Sequence, residues 1–121
     1  QALGASAVTA GTAFLLVDVC PLSPAYRTAL LAAQDTDSTL TRAFSGRLAR
    51  GVANRVTREL ESTPLPDFPQ PNAASRAMRQ AAAKAGRADF ISLWAGQALP
   101  LSRSPGSAAQ LVAALTQGWR A

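Results

Sequence analysis

The stretch that most constrains the fold is residues 4–17, GASAVTAGTAFLLV. Residues 6–10 read as a short buried strand, Gly11-Thr12 as a break, and residues 13–17 as an apolar run that opens a helix. A strand that feeds a glycine and then a helix start turns several unpaired backbone N–H groups in one direction, which is the arrangement that holds a phosphate. The pattern is therefore a candidate anion site. A buried strand that merely ends at Gly-Thr for a tight turn would leave the same residues, and the stretch alone does not separate the two readings.

The rest of the chain sets bounds on that choice. With 121 residues there is room for one small domain, and 48% of them are hydrophobic. Much of that fraction is alanine, which adds little apolar area per residue, so the core is expected to be thin. The opening residues QALGAS carry no initiator Met and no charged start, and the sequence is expected to be a piece of a longer chain. No signal peptide is visible and no apolar run reaches the roughly 20 residues of a membrane span, so a cytoplasmic protein is expected.

Twelve Lys plus Arg against seven Asp plus Glu give a net charge of +5. The arginines are scattered, and the densest group, Arg42 to Arg58, has little of the aromatic interleaving of a single-strand nucleic-acid surface. A solvated basic face is the expectation, with no nucleic-acid partner. Cys20 is the one cysteine and there is no His, which excludes an internal disulfide and leaves a thiol with no imidazole to activate it. The carboxylates are too dispersed for an oxygen cage, so no metal site and no catalytic residue are assigned.

Taken in order, residues 18–24 (DVCPLSP) form a loop, and Ser23-Pro24 starts a helix that runs to about Gln34 through Tyr26, Leu30 and Ala33. Residues 38–44 (STLTRAF) read as an extended segment, and Ser45-Gly46 as a turn. Leu48, Val52, Val56 and Leu60 then fall four apart and predict one helix over residues 47–61. Four prolines in residues 63–72 make a stiff connector. Asn72 is expected to cap an alanine-rich helix over 73–85, stopped by Gly86. Residues 88–97 (ADFISLWAGQ) are apolar and end in Gly-Gln, a site of close backbone approach beside an amide. Residues 100–105 are loop, and a last helix from Ser104-Pro105 or Ser107 presents Leu111, Val112, Leu115 and Trp119.

Three of these stretches, in this order, resemble the nitronate monooxygenases, also called 2-nitropropane dioxygenases. GASAVTAGTAFL is similar to the last barrel strand and phosphate loop of that family. The segment from Ala29, with TRAFSGRLARG in it, resembles the family's post-barrel insertion, and SLWAGQ resembles its C-terminal motif.

The resemblance implies an α/β fold: the C-terminal fragment of a (β/α)8 TIM barrel, its last strand and helices, with a mainly helical insertion. Residues 1–20 would be the last strand and FMN-phosphate loop, 21–71 the insertion and Pro-rich connector, and 72–121 the helices that return to the barrel. It implies FMN as cofactor, bound at its phosphate by Thr9, Ala10, Gly11 and Thr12, and a flavin or substrate pocket bordered by Ser92, Gly96 and Gln97, with Trp94 packing. Arg47 and Arg50 would line the active-site mouth or stay solvated. The family's catalytic base is a His upstream, absent here, so the piece alone is expected to be inactive. The implied reaction is oxidative denitrification of an alkyl nitronate with molecular oxygen. Two other readings stay open: another FMN barrel such as an enoyl reductase, and a basic helical module that binds an acidic partner.

Overall fold

A serine followed by a proline starts the best-defined helix. In the computed structural model, which describes residues 3–102 and 106–117, the Ser23 hydroxyl accepts the Tyr26 amide at 3.3 Å and Pro24 occupies the first turn of α2 (Pro24–Ala32). Ala33 leaves the helix in extended conformation, one residue before the expected end. Leu30, on the inner face, is fully buried. A 3-10 turn, Asp35–Asp37, follows, closed by the Asp37 carboxylate accepting the Gln34 amide at 2.8 Å, and delivers the chain into β1 (Ser38–Thr41).

The extended segment is shorter than residues 38–44 predict, because Ala43 and Phe44 turn inward and bury. Gly46 then makes the turn at φ +83°, where a side chain would bring a carbon to 2.8 Å from the Phe68 amide. The chain returns as β2 (Ala49–Val52), antiparallel to β1, with Ser38 opposite Val52 and Thr41 opposite Ala49.

The helix expected over residues 47–61 is therefore a correction: its first half is β2, and only α3 (Arg55–Glu59) is helical. Two residues explain the division. Gly51 weakens a helix and here lets another backbone approach, since a Cβ on it would lie 2.6 Å from the Leu93 carbonyl oxygen. Asn54 is a strong helix start; its side chain accepts the Thr57 amide at 3.2 Å while the Thr57 hydroxyl accepts the Asn54 amide at 2.9 Å. The four-residue spacing holds within α3, where Val56 is buried, but Leu48 lies out in solvent.

The backbone that approaches Gly51 belongs to residues 93–96. Trp94 bridges Gly51 in antiparallel sense, the Val52 amide donates to the Leu93 carbonyl at 2.8 Å, and the Ala95 amide donates to the Arg50 carbonyl at 3.2 Å. The hairpin thus gains a third extended segment.

The proline-rich connector ends in α4 (Gln70–Ala74), which turns at Ser75 into α5 (Arg76–Lys84). Asn72 lies inside α4 and is not the expected cap; Pro71 at the start of the helix takes the first turn instead. Gly86 does stop α5, at φ +68°, with the Arg87 amide donating to Ala82 and the Gly86 amide to Ala83 in a Schellman pattern. Short 3-10 turns follow at Ala88–Phe90 and Leu99–Ser102. The final helix, α6 (Ala108–Thr116), begins at Ser107 with a reciprocal Ser107–Gln110 cap. Trp119 and residues 103–105 lie outside the described residues.

One apolar cluster joins Leu16, Leu30, Val52, Leu93 and Leu99, so the opening, middle and closing thirds of the chain share a core. A smaller one gathers Ala43, Phe44 and Val56, and Trp94 packs on it with its ring edge-on to Phe44 at 5.7 Å. The architecture is mixed helix and strand, and among the described residues no helix is long and apolar enough to cross a membrane.

The opening stretch departs from expectation. Residues 6–10 are neither paired in a sheet nor buried. The sheet among the described residues is the β1–β2 hairpin with its third segment, and residues 6–10 are not paired with it. A strand without a neighbour has no acceptors for its amides and no surface on which to bury its side chains.

Substitution Gly51→Ala in the complete gene product should destabilise it by about 2–3 kcal/mol, as overpacking against fixed backbone does, whereas Gly11→Ala, where a Cβ meets nothing within 4 Å, should not. Urea unfolding of the two variants checks the contrast.

Candidate functional site

Gly11 opens the bend with φ −103° and ψ −53°, ordinary helical values, and the short helix α1 (Thr12–Leu15) follows. The Phe14 amide donates back to the Gly11 carbonyl at 3.0 Å. No side chain caps the first turn, so the amides of Thr12 and Ala13 keep their donor capacity. Gly11 is exposed and the space beside it is open. Thr9 and Ala10 are also exposed, and Thr12 is half-buried.

The other end of α1 is held by Arg27 of α2. Its guanidinium donates to the Leu16 carbonyl at 2.9 Å, to Val17 at 3.0 Å and to Cys20 at 3.5 Å. The Leu16 carbonyl is at the C-cap of α1, where a cation also complements the helix dipole, while the Val17 and Cys20 carbonyls accept the Cys20 and Leu22 amides as well. Cys20 itself is a half-buried free thiol.

The second candidate segment meets the first directly. The Gly96 amide donates to the Thr12 hydroxyl oxygen at 2.7 Å, across 84 positions of sequence. That bond occupies a lone pair of Thr12 Oγ1 and leaves its O–H able to donate. A Cβ at Gly96 would come to 3.3 Å from the same oxygen, so the glycine allows the close approach. Two residues earlier, the Trp94 carbonyl accepts the Tyr26 hydroxyl at 2.8 Å. Burial pushes the Tyr26 phenol up to about 12, so it stays a neutral donor.

The predicted site residues thus divide. Thr12 and Gly96 are in contact, with Gly11 adjoining them in the chain. Gln97 is exposed beside Gly96. Ser92 is buried and faces α5, its hydroxyl accepting from Arg79 at 3.5 Å. That guanidinium also donates to the Asn72 carbonyl at 2.9 Å and to the Asn72 side chain at 2.8 Å. Its pKa is lowered, by desolvation first and by the neighbouring Arg76 charge second. Trp94 packs on the hairpin, as expected. Arg47 stacks over the Phe68 ring of the connector at 4.1 Å and Arg50 donates to the Ser38 hydroxyl of β1 at 3.0 Å, so both have partners within the chain.

Sequence reasoning misses the residues that bring the two segments together. Tyr26 and Arg27 read only as helix positions, and Asn54 falls inside a longer predicted helix. The Asn54 side-chain amide donates to the carbonyls of Ala88 at 3.0 Å and Ile91 at 2.8 Å, which fixes the approach to Ser92. The available signal is Asn-x-x-Thr around an apolar residue, a capping pattern. Two cavities border the fold elsewhere. One of about 390 Å³ lies between β1 and the connector and includes Arg42, Arg58 and Asp67. The other, about 430 Å³, is an apolar groove between residues 6–10 and α6, lined by Val8, Phe14, Val112 and Leu115.

Comparison with known proteins adds to this geometry. The family model described as nitronate monooxygenase matches residues 1–118. The chain belongs to the nitronate monooxygenase family. A probable nitronate monooxygenase of Staphylococcus aureus strain Newman is 40% identical over 97 residues, 78% of this chain and 27% of that protein. Among solved structures, nitroalkane oxidase from Streptomyces ansochromogenes superposes with a TM-score of 0.86 at 38% identity, over 96% of this chain and 33% of that one. FabK from Thermotoga maritima follows with a TM-score of 0.69 at 26% identity, over 92% of this chain and 36% of that one. The chain therefore spans about a third of the length of the relatives it matches.

Thr12→Val should remove the acceptor for the Gly96 amide while keeping the side-chain shape, and Thr12→Ser should keep the acceptor. Hydrogen exchange at Gly96 is expected to speed up about tenfold in the valine variant, the size of one lost hydrogen bond, and to stay near wild type in the serine variant.

Proposed function

We propose that this chain is the part of an FMN-dependent nitronate monooxygenase that binds the flavin phosphate, and that the complete gene product carries out oxidative denitrification of alkyl nitronates with molecular oxygen. The observation that carries the reading is the 2.7 Å bond from the Gly96 amide to Thr12 Oγ1, which joins the two motifs that the family resemblance associates with a flavin. In this reading residues 6–10 form the last strand of a (β/α)8 barrel and are paired there by strands of the same enzyme.

The donor set fits a phosphate monoester. Uncapped amides at Thr12 and Ala13 and the Thr12 O–H are donors, the space at Gly11 is open, and no acidic residue stands in the first turn of α1. Thr9, Ala10, Gly11 and Thr12 would hold the phosphate, with Gly96 and Gln97 toward the flavin or substrate. When bound, FMN supplies the capacity to pass electrons from substrate to oxygen. This chain's residues bind and orient. Ser92 has its hydroxyl engaged by Arg79 and acts in this reading through the backbone that it precedes.

An alkyl nitronate is already the deprotonated form of a nitroalkane, so a binding portion without His is compatible with that substrate. Tyr26, held neutral by burial, is a donor and not a base. The nitroalkane oxidase likeness, higher in both identity and TM-score than the FabK likeness, favours a nitro-compound substrate over the enoyl reductase alternative.

The complete gene product should purify yellow, release FMN on denaturation and consume oxygen when given an alkyl nitronate. Gly11→Asp places a carboxylate on the phosphate amides without a steric clash and is expected to weaken FMN binding at least about tenfold through like-charge repulsion, read by flavin fluorescence. A colourless protein that refuses FMN overturns the proposal, and a yellow one that ignores nitronates moves it to another flavin barrel.

A further inference from the structure

The extended segment at residues 93–96 has two edges, and each is satisfied in a different way. Along one edge it pairs with β2, through the Leu93 carbonyl and the Ala95 amide. The intervening residues turn their polar groups the opposite way, as in any strand. There the Trp94 carbonyl takes the Tyr26 hydroxyl at 2.8 Å, and the Gly96 amide gives to Thr12 Oγ1 at 2.7 Å. One hydroxyl donates where a neighbouring strand would present N–H, and the other accepts where that strand would present C=O.

We propose that Tyr26 is a positioning residue for the flavin site: together with Thr12 it replaces a missing strand along the outer edge of residues 93–96 and so fixes Gly96 and Gln97 against the Gly11–Thr12 bend. The inference rests on the flavin reading given above. Tyr26 is well placed for the task because its own amide is the one that Ser23 caps, which sets the first turn of α2. Arg27, the next residue, grips the far end of α1. The same helical turn therefore holds both partners, and a shift of α2 would move the two motifs together. Without the Tyr26 hydroxyl the Trp94 carbonyl loses its partner, and Gly96 is left held on one side by Thr12 alone.

The test uses the complete gene product and its Tyr26→Phe variant. Expected are a folded variant whose FMN dissociation constant rises about tenfold, as for one half-buried hydrogen bond lost, and a changed visible circular dichroism of the flavin that remains bound. An unchanged dissociation constant and an unchanged flavin spectrum overturn the inference, even if the melting temperature falls, because the hydroxyl would then serve folding alone. Should wild type bind no FMN, the flavin reading itself has failed, and that is visible before any variant is made. If Tyr26→Phe does not accumulate folded, hydrogen exchange of wild type with and without FMN replaces it. Slower exchange on FMN binding in peptides covering both residues 93–98 and 24–28 supports the inference, and slowing that is absent from 24–28 overturns it.

Discussion

The structure depends on the backbone of residues 93–96 having a partner on each side. Its inner edge needs β2 close by, and β2 comes close because Gly51 carries no side chain where the Leu93 carbonyl lies. Its outer edge is bonded by hydroxyls from two helices. Since each polar group left unpaired in a half-buried site costs about 1–3 kcal/mol, the segment sits where all four bonds are made at once. The hairpin, α1, α2 and the approach through Asn54 are thereby located relative to one another.

Helix α2 contributes most of this through its first turn. Ser23 caps it, Tyr26 reaches the outer edge of the extended segment, and Arg27 closes the end of α1. The buried side of the same helix, at Leu30, enters the main apolar cluster. Packing fixes where the helix lies, and the polar turn fixes what it holds.

Local chemistry makes part of this legible in the sequence. Ser23-Pro24, Gly46, Gly86 and Ser107 act through their own backbone or the next few residues, and each does what its residue type dictates. The two motifs at Gly11-Thr12 and Trp94–Gln97 are visible as separate features, but their contact is not, since the bonded residues are 84 positions apart in the sequence. The helix read over residues 47–61 fails at Gly51 for a related reason. A four-residue apolar spacing describes one chain segment, whereas the choice between strand and helix there is made by backbone that arrives from residue 93. Residues 6–10 show the same dependence, having the composition of a strand with no strand paired to them among the described residues.

Among the described residues the ion pair is Arg55 with Glu59, exposed and confined to one turn of α3. The ties across residues 93–96 run between neutral hydroxyls, amides and carbonyls. Dissolved electrolyte screens charges in solvent and leaves such dipolar ties almost untouched. The contact between the two motifs, made by these neutral groups, is accordingly little affected by ionic strength.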